Sequence, residues 1–131
     1  MTTCRLLVHE TFQNRYIEFQ QQHPEAGKSL ISQLQQIREN PGNGQRIKGT
    51  EIIPNLRGML YKAWVGGRRK FRLFYYHHSG RQVVMPVYLS SELRGSFDYK
   101  DVRPVVDAAA LIVEDFEAKR MERFIEPTFM R

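Results

Sequence analysis

One cysteine, Cys4, is all the thiol chemistry this chain holds. A lone cysteine closes no intramolecular disulfide, so a disulfide-stapled fold is excluded and a reducing, cytoplasmic setting is expected, with Cys4 a buried, inert thiol. Long apolar runs are missing as well. The first residues offer only Leu6-Leu7-Val8, too short for a signal peptide or a membrane span. There is no low-complexity segment and no internal repeat. Several chemistries are also absent. His9, His23, His77 and His78 lack metal-ligand spacing, and neither metal nor cofactor is expected. "GNGQRIKGT" has glycines and a lysine but not the Gly-Lys-Ser/Thr ending of a phosphate-binding loop, and no nucleophile elbow occurs.

Acid is scarce in one region only. Between residues 46 and 94, ten cations face Glu51 and Glu92 alone, whereas residues 1–45 balance four of each sign. The net charge of +6 is therefore concentrated in the middle of the chain. That points to a surface facing a polyanion rather than to general solubility.

What is present fits a single domain spanning 1–131, since 131 residues can bury a core without staples. Arg5–His9 reads as a short strand. Phe12, Tyr16, Ile17 and Phe19 have helical spacing over Glu10–Gln22. Pro24 opens a second helix with Leu30, Ile31, Leu34 and Ile37 inward, and "ENPGNG" ends it. These two should form an antiparallel pair.

The period then changes to two. Gly58–Val65 puts Tyr61, Ala63 and Val65 on one face and Leu60, Lys62 and Trp64 on the other. Turns at Gly66-Gly67 and Ser79-Gly80 divide it from strands Phe71–His78 and Gln82–Leu89, and Pro86 makes the last an edge or a bulge. From about Asp98, Val105, Ala109, Ile112, Val113 and Phe116 mark a helix, with Pro104 expected near its first turn. The expected class is α+β: a small antiparallel sheet covered on one face by an N-terminal helix pair, with a C-terminal helix. The tail "FIEPTFMR" is apolar enough to dock on this chain or on another.

The chemistry gathers in "GGRRKFRLFYYHH". Alternation sets Arg72, Phe74, Tyr76 and His78 on one side. The face of Lys62 and Trp64 is expected to point away from the helices. If Arg72 shares it, two cations on neighbouring strands can hold a phosphate and stabilise the extra charge of its transition state. Trp64 or Tyr76 can stack on an unpaired base. Equally, the aromatics can be core and the cations solvated edge residues.

The run "IKGTEIIPNLRGMLYKAWVGGRRKFRLFYYHHSGRQVVMPVYLSSELR" resembles the RelE/ParE toxin superfamily of type II toxin–antitoxin systems, with the YhaV-like branch somewhat nearer. The matching parts are "LRGMLYKAWVGG", "KFRLFYY", "VVMPVYL" and "ELRGSFDYKDV". The resemblance implies a RelE-like fold and a cytoplasmic endoribonuclease, an mRNA interferase that blocks translation. Such a nuclease drives a ribose 2′-OH against the adjacent phosphate of mRNA, on or off the ribosome, and is restrained by a cognate antitoxin. Carried over by position, Arg72 holds the scissile phosphate, Lys62 holds phosphate or helps deprotonate the 2′-OH, and Arg94 and Tyr99 complete the catalytic set. Arg57, Trp64, Arg68, Arg69, Lys70, Tyr76 and Arg81 become RNA-binding candidates. Trp64 stands where some nucleases of this kind carry a second lysine, and arginine is too basic to accept the proton. His78 lies six residues beyond Arg72, about 20 Å at strand rise, too far for the same proton. Two other functions fit the sequence: a ParE-type gyrase inhibitor or noncatalytic RNA binder on the same fold, and an assembly module built on the acidic helix and apolar tail.

Overall fold

The computed structural model describes residues 4–46, 59–65, 71–90 and 99–127. Within them the chain is α+β, with helices on both faces of a mixed sheet. The Arg5–His9 strand divides at Leu7 into β1 (Arg5–Leu6) and β2 (Val8–His9). Leu6 and Val8 enter one buried cluster and Leu7 the other, so the segment passes between two cores.

Helix α1 (Glu10–Gln22) buries Phe12, Tyr16 and Phe19, while Ile17 stays exposed. One residue, His23, separates it from α2 (Pro24–Glu39), which carries Pro24 in its first turn, where a missing N–H costs nothing. Leu30, Leu34 and Ile37 are fully buried, as their spacing requires. The two helices touch closely at Gly27, where a Cβ would lie 3.2 Å from Cγ of Gln20.

Next come β3 (Gln45–Arg46), β4 (Met59–Val65), β5 (Phe71–His78) and β6 (Val83–Ser90). β3 was not expected from the sequence. The sheet order is β1-β6-β5-β4-β3, antiparallel except that β1 runs parallel to β6. Pro86 lies at a bulge, where the β5–β6 register shifts between Phe74 and Tyr75. The carbonyls of Gln82 and Val84 accept from β1, and Pro86 is in phase with them on the side where β1 has ended. Its missing N–H therefore costs no ladder bond.

Tyr75 fastens the start of β3 to this sheet. Its hydroxyl donates to the Pro41 carbonyl (2.6 Å) and accepts from the Gly44 N–H (2.9 Å). Burial pushes its phenol up to about 12, against the lowering effect of the Gly44 bond.

Helix α3 (Tyr99–Glu117) begins earlier than Pro104 suggested, and the proline falls in its second turn. Val105, Ala109, Ile112, Val113 and Phe116 are buried against Phe74, Tyr76, Val83, Met85 and Val87. The helix pair packs on the opposite face, over Leu73, Tyr75 and Val84. The expectation of an open face behind the sheet is thus corrected: α3 covers that face over the middle of β5 and β6. A five-residue apolar stripe has to be buried somewhere, and the second sheet face is its nearest partner.

The tail docks on this chain. β7 (Phe124–Ile125) pairs antiparallel with β2, and Arg5 Nε donates to Glu126 (3.0 Å). Beneath it, buried Asp115 accepts from His9 Nε2 (2.6 Å), Arg120 (2.8 Å) and Arg123 (3.2 Å). His9 caps α1, its Nδ1 accepting from the Thr11 N–H (3.1 Å), so its proton sits on Nε2. Burial pushes the Asp115 carboxyl up, but the hydrogen bonds from His9, Arg120 and Arg123 outweigh this and hold it below the ordinary carboxylate range. The helix ends with Lys119 in the left-handed region (φ 61°). Lys119 and Arg120 N–H groups close back on the Phe116 and Asp115 carbonyls.

Candidate functional site

The ladder between β4 and β5 decides which of the basic positions meet. Trp64 lies opposite Arg72, and Lys62 lies opposite Phe74. Directly opposed residues share a sheet face, so the positions of Lys62, Trp64, Arg72 and Phe74 are all on one side. Lys62 and Arg72 are diagonal neighbours, roughly 7–8 Å apart. Gln45 of β3 pairs with Lys62 and extends the row to the sheet edge.

The setting of Arg72 differs from the expectation. It is buried, 4 % exposed, on the face that α3 covers. A guanidinium so enclosed meets a phosphate chain only if its cover is drawn aside. Tyr76 is 0 % exposed and packs in the core beneath α3, so its assignment as a stacking platform for a base is withdrawn. Arg81 lies in the turn Ser79–Arg81, at the far end of β5 from the basic turn, with its guanidinium 5.1 Å from the Phe116 ring centre. Eight residues of strand separate the two ends, about 25 Å, so Arg81 does not extend that patch. Lys62 and Trp64 are placed by register alone, and Tyr99 is the first residue of α3. Arg57, Arg68, Arg69, Lys70 and Arg94 lie outside the described residues.

The histidines take structural positions. His78 is buried, its Nδ1 accepting from the Arg81 N–H (3.2 Å) while Nε2 faces Glu117 at 3.7 Å. Burial and the neighbouring His78 hold His77 below the ordinary imidazole value. The Cys4 sulfur lies 3.9 Å from His77 Nε2, and burial pushes its thiol up, which keeps it in the unreactive form. Among the described residues, no group of three or more His, Cys, Asp or Glu could hold a metal ion. Nor is any helix there long and apolar enough to cross a membrane.

One feature escaped the sequence reading. A cleft of about 170 Å³ opens between the last turns of α1 and the ends of β5 and β6. Phe19, Phe71 and Leu89 form its apolar side, and Arg15, Glu18, Gln22 and His23 form its polar rim. Arg15, Glu18 and Gln22 recur at three- and four-residue intervals on α1, a signal of one polar helix face. Nothing in that spacing says what the face overlooks.

No family model matches the chain. No curated protein and no solved structure matches it either.

Proposed function

We propose that this chain is a toxin of the RelE/ParE kind: a cytoplasmic endoribonuclease that cuts mRNA and is held in check by an antitoxin. The observation that carries the reading is the β4–β5 register, which sets Lys62 and Arg72 diagonally on one sheet face. They lie near the end of a hairpin whose connection contains Arg68, Arg69 and Lys70. In the reaction, the ribose 2′-oxygen attacks the adjacent phosphorus and the 5′-oxygen of the next nucleotide leaves. Arg72 stabilises the charge that builds on the phosphate oxygens. Lys62 holds the phosphate or takes the 2′-OH proton, since arginine stays protonated. The α+β architecture with a helix pair on one sheet face agrees with the resemblance.

The test is controlled expression with mapping of RNA ends. Wild type should generate new 5′ ends in mRNA. Lys62→Ala and Arg72→Lys should each lower the cleavage rate by at least about 100-fold, the usual effect of losing a general base or a charge-stabilising group. Growth arrest with intact mRNA would overturn the nuclease reading.

The burial of Arg72 favours a second reading. On it, the same fold is a noncatalytic RNA binder or a ParE-type gyrase inhibitor, with Arg72 holding the sheet to α3. DNA damage without RNA cleavage on expression would select the gyrase inhibitor. RNA affinity retained without cleavage would select the RNA binder.

A further inference from the structure

The geometry points to the cleft beneath the end of α1 as a subsite for one unpaired nucleobase, guanine for preference; the inference rests on the RNA-directed reading above. Size comes first. At about 170 Å³ the cleft is well below the roughly 300–1,000 Å³ of sites that enclose a whole small-molecule ligand. It suits one ring system whose remaining parts lie outside.

Its wall is aromatic. Phe71 meets Phe19 edge to face at 5.0 Å and His23 at 4.7 Å, so three rings converge on it. His23 is exposed and presents its ring at the rim. Sequence-tolerant stacking on such rings is how proteins commonly hold unpaired bases.

The rim supplies opposite hydrogen-bonding characters. Glu18 only accepts, Arg15 only donates, and Gln22 does both. Arg15 is not a loose surface arginine, because its guanidinium lies 4.5 Å from the Tyr88 ring centre, a cation–π contact that limits its positions. Guanine is the base that uses both ends of this set. Its O6 and N7 accept from a guanidinium, and its N1–H and 2-amino groups donate to a carboxylate. Uracil has no amino group to offer Glu18.

Position supports an RNA occupant over an apolar side chain of a partner protein. Phe71 follows Lys70 directly, so the cleft begins one residue, about 3.8 Å of backbone, after the Arg68-Arg69-Lys70 run. Leu89, on the other strand, precedes Arg94 by five residues, at most about 18 Å of extended chain. Both strands at the cleft therefore run into cations that can hold the phosphates on either side of a seated base. The acidic Glu18 is then read as a specificity group, not as part of an anion site.

The experiment is an amide NMR titration of the full chain with GMP, AMP, CMP and UMP, and with ribose 5-phosphate as the base-free probe. GMP should shift the His23 and Phe71 resonances saturably and more tightly than UMP, while ribose 5-phosphate leaves them in place. Equal shifts with ribose 5-phosphate, or no shifts with any nucleotide, overturn the inference. His23→Ser separates binding from folding: serine is a good helix N-cap for α2, so stability should hold or rise. GMP affinity should nevertheless fall about 5- to 150-fold with the lost stacking ring. Binding unchanged by His23→Ser also overturns it. The same proteins are assayed for binding and cleavage of a short single-stranded RNA. If RNA is bound and cut while GMP leaves the cleft resonances unmoved, the base subsite fails and the nuclease reading stands. If RNA is untouched while GMP saturates the cleft, the nuclease reading fails and the subsite stands.

Discussion

Removing the Asp115 carboxylate should loosen the whole C-terminal closure. Asp115→Ala deletes the acceptor of His9 Nε2–H and the shared partner of Arg120 and Arg123. His9 is 1 % exposed, so its N–H would be left buried without an acceptor, at a cost of about 1–3 kcal/mol. The two arginine side chains are each 44 % exposed and can rehydrate, so their share is at most about 1 kcal/mol apiece. Part of this is offset because a buried carboxylate no longer has to be desolvated. The expected loss is about 2–4 kcal/mol, read as a lower urea midpoint with an unchanged slope. Asp115→Asn keeps an acceptor for His9 and should cost roughly half as much.

The pH dependence follows from the sign of the shift. The folded carboxyl lies below its unfolded value of about 3.8–3.9. Its contribution is therefore fully present above that value and is lost as pH falls through the lower folded value. Wild type should lose this increment in acid, and Asp115→Asn should show a flatter profile there. A loss under about 0.5 kcal/mol for Asp115→Ala, or identical acid profiles for wild type and Asp115→Asn, would refute the reasoning.

Three further outcomes are expected. Lys119→Gly should stabilise the chain by about 0.5–1 kcal/mol in thermal unfolding, because Lys119 holds a left-handed conformation at the end of α3 that glycine adopts without strain. Tyr75→Phe should cost about 1–2 kcal/mol, since the hydroxyl bonded to Pro41 and Gly44 is lost. With the folded phenol up at about 12, wild type should also lose stability as pH rises from about 10 to 12, followed by tyrosinate absorbance, and Tyr75→Phe should lose less. Arg81→Ala should change RNA affinity less than twofold in a fluorescence anisotropy titration, because Arg81 is at the opposite end of β5 from the basic turn.

The sequence by itself determined the local elements, because their signals are local. The spacing of Phe12, Tyr16 and Phe19, the Pro24 start, the alternation about Ala63 and the glycine turn each depend on neighbours a few residues away. They yielded both N-terminal helices, the three-stranded meander and the buried stripe of α3. Period-two alternation also separated the Arg72 row from the Leu73 row correctly. It carries no information on which row faces water. That was decided by α3, whose stripe covers the row read as open, and so buries Arg72 and Tyr76.

The closure of the termini was equally illegible. His9 meets Asp115 across 106 residues and Arg5 meets Glu126 across 121, contacts with no sequence period to announce them. The division of Arg5–His9 into two strands follows from the same closure, because β2 turns away from β6 to pair with β7. The cleft is a third case. Arg15 and Glu18 are separated in sequence from Phe71 and Leu89, and only the packing of α1 on the sheet edge joins them. Tertiary structure decided these points because burial depends on what lies opposite a residue, whereas periodicity reports only which residues lie side by side.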